Sequence, residues 1–307
     1  MVATLDRIVD DKNLAWTATS LSTEDYTITL SDQTLRELRS GDLPDKHKEA
    51  SIYLKHFPSL EAQISDFYKK QLKTTPGFGI IKGLNPKEFS RQGQEMVYWM
   101  ISGVLGTPLE QNAQGEIRYE VKDKGKRMEE GGRYSESRQA GVLHTDSIQW
   151  EHPPEVVGLL CLHPAMSGGE SVIMSAYSLH NKLLQNHPEL LRVLYEPFPF
   201  ETRKSTGEVN TISKPVFRYD TEKGLRFEYI GTYVPQKSLT SEQAEAKKIL
   251  DETLEDSSLV VELGTLQAGD MQFLMNFRNA HGRKTDFVNY PEPERERIMV
   301  RAWLREK

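Results

Sequence analysis

From Val142 onward the chain carries one short strand-like segment after another, and this density of strands most narrows what it can fold into. The segments run Val142 to Trp150, Glu155 to Leu162, Ser171 to Met174, Pro215 to Tyr219 and Leu225 to Tyr229, then Leu259 to Leu263, Asp270 to Phe277 and Ile298 to Leu304. Two more, Tyr26 to Leu30 and Gly77 to Ile81, precede them. Each is short, apolar or alternating, and bounded by turn residues. Helical periodicity appears over Leu60 to Leu72 after a Ser59 cap, and in a helix opening at Pro86 and stopping at Gly106. It returns over Ser175 to Gln185, Pro188 to Tyr195, and Ser241 to Leu254 behind a Thr240-x-x-Gln243 capping box. Many strands with helices gathered early and inserted once or twice predict a mainly β chain with flanking helices, a sandwich or jelly-roll core. The strand–helix alternation of a doubly wound sheet is missing. Gly131-Gly132 and Gly168-Gly169 lack the strand–turn–helix context of a phosphate loop.

The balance of residues excludes several function classes. Net charge is −6 with acids and bases interspersed, so no basic stripe offers a nucleic-acid surface. No stretch approaches the roughly 18 apolar residues of a membrane span, and the first residues lack the apolar core of a secretory signal. Cys161 is the single cysteine; it sits in the apolar run VVGLLCL, reads as a buried small hydrophobe, and fits a reducing compartment. A soluble cytoplasmic protein follows, with a homo-oligomer left open. With no repeat or linker, residues 1–307 read as a single domain, in which 1–60 form a weakly patterned N-terminal extension.

The chemistry concentrates at His144-Thr145-Asp146, placed inside a predicted strand. Residues two apart on a strand share a face, so the imidazole of His144 and the carboxylate of Asp146 project together. Alone the tripeptide is weak. A second histidine would complete a two-histidine, one-carboxylate set with open positions on iron(II); His281, just after a strong strand signal, is the candidate. Downstream, Arg297 and Arg301 stand an even number apart in ERERIMVRAWL, so a strand turns both to one side. An inward arginine is costly unless it meets an anion, which a guanidinium grips with two parallel hydrogen bonds.

At this point the chain resembles the taurine dioxygenase family of iron(II)/2-oxoglutarate oxygenases, to which γ-butyrobetaine hydroxylase is also related. The matching blocks are PGFGIIKGL (76–84), VLHTDSIQWEHPPEVVGLLCL (142–162), SGGESVIMSAYSLH (167–180), NFRNAHGR (276–283) and ERIMVRAWL (296–304), in family order. The resemblance implies a double-stranded β-helix (jelly-roll) core. It implies iron(II) held by His144, Asp146 and His281, and 2-oxoglutarate held through its distal carboxylate by Arg297 with Ser171. Ser171 stands where the family often has threonine. Arg301 matches an arginine that meets the substrate's acidic group. The implied reaction consumes dioxygen and 2-oxoglutarate, releases succinate and carbon dioxide, and oxidises an aliphatic C–H bond of a small acidic or amino-acid-like substrate. Hydroxylation is the default; desaturation or oxidative ring closure remain open, and the Asp146 carboxylate argues against halogenation. A noncatalytic scaffold on the same fold and a zinc hydrolase on the same ligands are the rival readings.

Two polar stretches, 121–138 and 201–214, are candidate lids. The other histidines, His180 included, read as surface, capping or turn residues. Asn276 and Arg278 could support the second histidine or simply the fold, and Arg283 stays unassigned.

Overall fold

The computed structural model describes residues 4–47, 50–112, 114–130, 132–203 and 209–307; the expected features at Gly131 and at residues 204–208 of the second polar stretch lie outside them. Fifteen strands are found among these residues: β1 (Thr27–Thr29), β2 (Phe78–Lys82), β3 (Gly106–Pro108), β4 (Tyr119–Val121), β5 (Gly141–His144), β6 (Val156–His163), β7 (Ser171–Ser175), β8 (Phe198–Arg203), β9 (Val209–Lys214), β10 (Phe217–Asp220), β11 (Gly224–Phe227), β12 (Val260–Gly264), β13 (Met271–Met275), β14 (Asn279–Arg283) and β15 (Ile298–Glu306). The helices are α1 (Thr23–Tyr26), α2 (Asp32–Ser40), α3 (Ala50–Tyr53), α4 (Pro58–Phe67), α5 (Arg91–Leu105), α6 (Ala176–Asn186), α7 (Pro188–Leu194) and α8 (Ser241–Leu254).

A seven-stranded sheet, β1-β2-β13-β6-β15-β3 with β4 also on β15, faces a four-stranded sheet, β12-β7-β14-β5. Strict alternation builds both faces. On β15, Met299 and Trp303 enter the layer between the sheets, while Val300, Ala302 and Leu304 face the helices α2–α5. On β7, Ile173 points inward, and Val172 and Met174 face α6–α8. This is the jelly-roll architecture with flanking helices that the strand pattern implied.

Helix starts follow local caps, which corrects two expectations. Ser59 does not cap α4. Pro58 takes the first helical position, and the Glu37 carboxylate on α2 accepts the Ser59 and Leu60 amides at 3.0 and 3.2 Å. The helix expected from Pro86 begins at Arg91, because Ser90 accepts from the Gly93 amide and residues 85–89 spend their hydrogen bonds in a turn on Asn85. Gly106 ends it as expected, and the Thr240/Gln243 capping box opens α8.

The N-terminal residues are integral to the packing. Leu5 enters the helix-side core and Trp16 the layer between the sheets. Side chains from distant elements fasten the segment: Ser178 donates to the Trp16 carbonyl, Ser175 to that of Leu14, and Asn181 bonds the backbone of Val9.

His180 is not a surface residue; it is fully buried on α6. The Leu5 amide donates to the Tyr195 hydroxyl, which lies 2.9 Å from His180 Nε2. Burial pushes the imidazole down to about 4. The unfolded chain therefore takes up this proton first as pH falls, so the stability held above pH 6.5 is lost on the way to pH 4, by roughly 3 kcal/mol. Denaturant unfolding at pH 7 and pH 5 should show a smaller acid-induced loss in His180→Gln than in the parent; equal losses would contradict this.

Candidate active site

His144 closes β5, and the strand stops there rather than running to Trp150 as expected. The chain is bent by two long-range clamps. Thr145 exchanges two hydrogen bonds with Tyr229: its amide donates to the Tyr229 carbonyl (2.9 Å), and its hydroxyl accepts from the Tyr229 amide (3.0 Å). Asn276, wholly buried, accepts from the Asp146 amide (2.8 Å) and donates to the Asp146 and Pro154 carbonyls (3.0 and 2.9 Å). Ser147 follows at φ +55°, a left-handed conformation that non-glycine residues adopt at a penalty. His144 and Asp146 do project together, but by this turn and not by strand alternation.

His281 arrives from β14, directly opposite His144 in the ladder. The two rings lie 4.7 Å apart, and Asp146 Oδ1 is 3.6 Å from His144 Nε2 and 3.7 Å from His281 Nε2. The three ligand atoms fall within 4.8 Å of one another, and all three residues are buried. A cluster so placed could hold one metal ion, and its donor types suit iron(II).

The surroundings orient these donors. His144 Nδ1 lies 2.8 Å from the Val142 carbonyl, which fixes a proton there and leaves Nε2 free to ligate. Trp303 Nε1 donates to Asp146 Oδ2 at 2.6 Å, leaving Oδ1 toward the histidines. Burial alone would raise the Asp146 carboxyl; Arg301, His144 and His281 together overcome it and hold the group well below the usual carboxylate range. The Tyr134 ring stacks on His144 at 5.2 Å. Tyr134 belongs to the polar stretch 121–138, whose backbone Arg283 fastens through the Ser137 and Gln139 carbonyls, both at 2.8 Å. The other polar stretch folds largely as the β8–β9 hairpin, and none of its described residues lines the cavities at the triad.

Arg297 and Arg301 do turn to one side, as their spacing implied. Arg297 lines a cavity with Ser171, Gly169, Leu159 and the triad. It is 5% exposed, yet its Nη1 has no hydrogen-bond partner and no carboxylate pairs with it among the described residues. Burial pushes the guanidinium down to about 10, still charged at neutral pH. A buried, unpaired cation beside a metal-type cluster fits the carboxylate of a bound acid. Gly169 (φ +76°) packs beside the guanidinium; a Cβ there would crowd Phe287 Cβ at 3.0 Å and touch Arg297 Nε at 3.6 Å. Arg301 is held by Gln111 Oε1 (2.8 Å) and stacks over Trp303 (4.0 Å), with Nη1 3.7 Å from Asp146 Oδ2.

Trp303, Thr145 and Gln111 were not foreseen as parts of the site, whereas Tyr134 belongs to the stretch 121–138 expected as a candidate lid. Trp303 was within reach, since it shares the parity of Arg301 on β15 and of Arg297 just before the strand. Arg278 has a structural role, donating to the Lys73 and Thr74 carbonyls.

The family model for taurine catabolism dioxygenase TauD, TfdA matches residues 46–303. The chain belongs to that family. As a TauD/TfdA-family member it is an iron(II)- and 2-oxoglutarate-dependent oxygenase, an enzyme class whose metal and cosubstrate suit the donor set and the unpaired Arg297 described above. It is similar to FR-33289 synthase of Streptomyces rubellomurinus, at 25% identity over 76% of this chain and 70% of that protein. A taurine hydroxylase-like protein, SAT17 of Stachybotrys chartarum, is 23% identical over 88% of this chain and 73% of its own length. Among solved structures, asparagine oxygenase in complex with Fe(II), 2S,3S-3-hydroxyasparagine and succinate superposes with a TM-score of 0.68 at 16% identity, covering 91% of this chain and 93% of that one. The non-heme iron oxygenase OrfP with Fe and alpha-ketoglutaric acid gives 0.64 at 16% identity, over 92% and 94%. These TauD/TfdA-like neighbours share the fold. No helix among the described residues is long and apolar enough to cross a membrane.

Proposed function

We propose that this oxygenase oxidises an aliphatic C–H bond of a small acidic, amino-acid-like molecule, with His144, Asp146 and His281 as the iron ligands. Arg297, helped by Ser171, binds the distal carboxylate of 2-oxoglutarate, and Arg301 faces the acidic group of the substrate. The observation that carries this reading is the unpaired, buried Arg297 guanidinium in one cavity with the triad. A metal-dependent hydrolase or a noncatalytic scaffold has no use for such a cation, whereas a dicarboxylate cosubstrate neutralises it. Asparagine oxygenase, crystallised with a hydroxylated amino acid, supports the substrate class.

Bound iron(II) supplies chelation of the 2-oxo acid and reductive activation of dioxygen, coupled to loss of carbon dioxide and formation of succinate. The chain's own residues do the rest. Val142 and Trp303 fix the ligand orientations, Arg297 sets the depth of the cosubstrate, and Tyr134 covers the His144 edge of the site. Hydroxylation is the default outcome, with desaturation or ring closure open to the same arrangement. The described core clusters join N-terminal and C-terminal residues, which supports a single domain over 1–307. Cytoplasmic residence is part of the proposal and rests on the one, unpaired cysteine.

The test is succinate release from 2-oxoglutarate by purified protein under a screen of amino acids and small acids. Substrate-stimulated succinate with iron(II), and none with zinc, is the expected result. Activity sustained by zinc would favour a hydrolase, and no succinate with any acid a scaffold; either would overturn the proposal.

A further inference from the structure

The triad stands between two cavities that share Tyr134, Ser135, His144, Asp146 and Arg301. Arg297 and Ser171 line one of them, which leaves the other for the molecule to be oxidised. That second cavity is bounded by Arg133, Arg301, Trp303 and Ile230, and by the turn that follows the metal-ligand pair. This turn presents two orphaned polar atoms. Ser147 Oγ and Gln149 Oε1 are both buried without a hydrogen-bond partner. Ser147 is moreover held at φ +55°, a conformation that persists where surrounding structure imposes it and that clusters at ligand sites. Buried polar atoms left unsatisfied are rare, and in an empty cavity they mark where a ligand supplies the missing partner.

The charges around them say what kind of partner. Arg301 and Arg133 put two cations on this cavity, and Asp146, already drawn toward the triad, is the one acid among its described lining residues. No uncommitted carboxylate is there to neutralise a strongly cationic substrate end. An acidic group therefore goes to the arginines, and the neutral oxygens of residues 147 and 149 are left to receive an N–H.

We propose that Gln149, with Ser147, is the specificity-determining pair for the substrate, accepting hydrogen bonds from an uncharged amide N–H of a small acid whose carboxylate or sulfonate faces Arg301. This deepens the proposed oxygenase reading and rests on it. The parity of strand β15 brings in Arg301, but Gln149 comes from the turn that Asn276 and Tyr229 impose, so it lies close to the metal ligands in sequence and on the substrate side in space.

The experiment titrates protein loaded anaerobically with Fe(II) and 2-oxoglutarate. The probes are succinamate and glutaramate, each beside the methyl ketone in which CH3 replaces the amide NH2: 4-oxopentanoate and 5-oxohexanoate. At least one amide should bind about tenfold or more tighter than its ketone, since the amide alone brings N–H donors to the orphaned oxygens. In Gln149→Met that preference should fall to about twofold or less, while Gln149→Glu, which keeps an acceptor, retains it. Ser147→Gly, which relieves the backbone and removes the hydroxyl, should weaken the amide more than its ketone counterpart. An unchanged preference in Gln149→Met, its loss in Gln149→Glu as well, or no binding by any probe overturns the inference alone, provided 2-oxoglutarate still binds. Failure of 2-oxoglutarate to bind the parent protein overturns the oxygenase reading together with it.

Discussion

Replacing His281 by alanine should abolish tight iron(II) binding and reduce succinate formation to background. His281 supplies one of the three donors that converge among the described residues, opposite His144 on the adjacent strand. Supporting residues outside a metal's ligand set are typically worth about 10–100-fold in affinity, so loss of a ligand itself should exceed a hundredfold. The fold should survive, because His281 makes no hydrogen bond through Nδ1 among the described residues and its strand is held by the ladders to β7 and β5. Anaerobic titration with iron(II), alongside circular dichroism to verify folding, reads both consequences. A folded variant that binds iron like the parent would remove His281 from the site.

Arg297→Met should separate cosubstrate binding from stability. Among the described residues the buried guanidinium faces the Phe287 ring but meets no carboxylate, and such a charge is a liability that an apolar side chain of similar length removes. Thermal stability without ligand should therefore hold or rise. In the proposed complex with 2-oxoglutarate the same arginine becomes half of a buried, hydrogen-bonded pair. Truncating one side of such a pair costs about 2–5 kcal/mol, or roughly thirty- to several-thousandfold in affinity. Calorimetric titration of 2-oxoglutarate into the iron-loaded variant measures it, with iron affinity unchanged because Arg297 touches no ligand atom. A variant that loses stability yet keeps its cosubstrate affinity would show that Arg297 serves packing instead.

How far the sequence announced this arrangement depends on whether a residue's role is set locally. The alternation along β6 and β15 was legible because one face packs on helices and the other on the opposing sheet, and the same parity correctly turned Arg297 and Arg301 inward. The strand carrying His281, NAHGR, was invisible: it is small and polar, and only its neighbours β7 and β5 make it a strand. The stretch after His144 looked like continued strand because LHTDSIQW alternates. Its bend comes from Tyr229 and Asn276, distant in the chain, and Ser147 takes the left-handed conformation without the glycine that usually signals it. The β8–β9 hairpin read as loop because most of the residues in 201–214 are polar, and the N-terminal segment read as loose because its anchors, Leu5 and Trp16, are sparse. His180 looked superficial since its burial depends on Leu5 and Tyr195.

The most direct test is anomalous scattering at the iron edge from crystals grown without oxygen in the presence of Fe(II) and 2-oxoglutarate. One peak should appear, bonded to His144 Nε2, Asp146 Oδ1 and His281 Nε2, with a cosubstrate carboxylate against Arg297. A peak lying elsewhere, or a 2-oxoglutarate molecule that leaves Arg297 without an anion, would contradict the assignment.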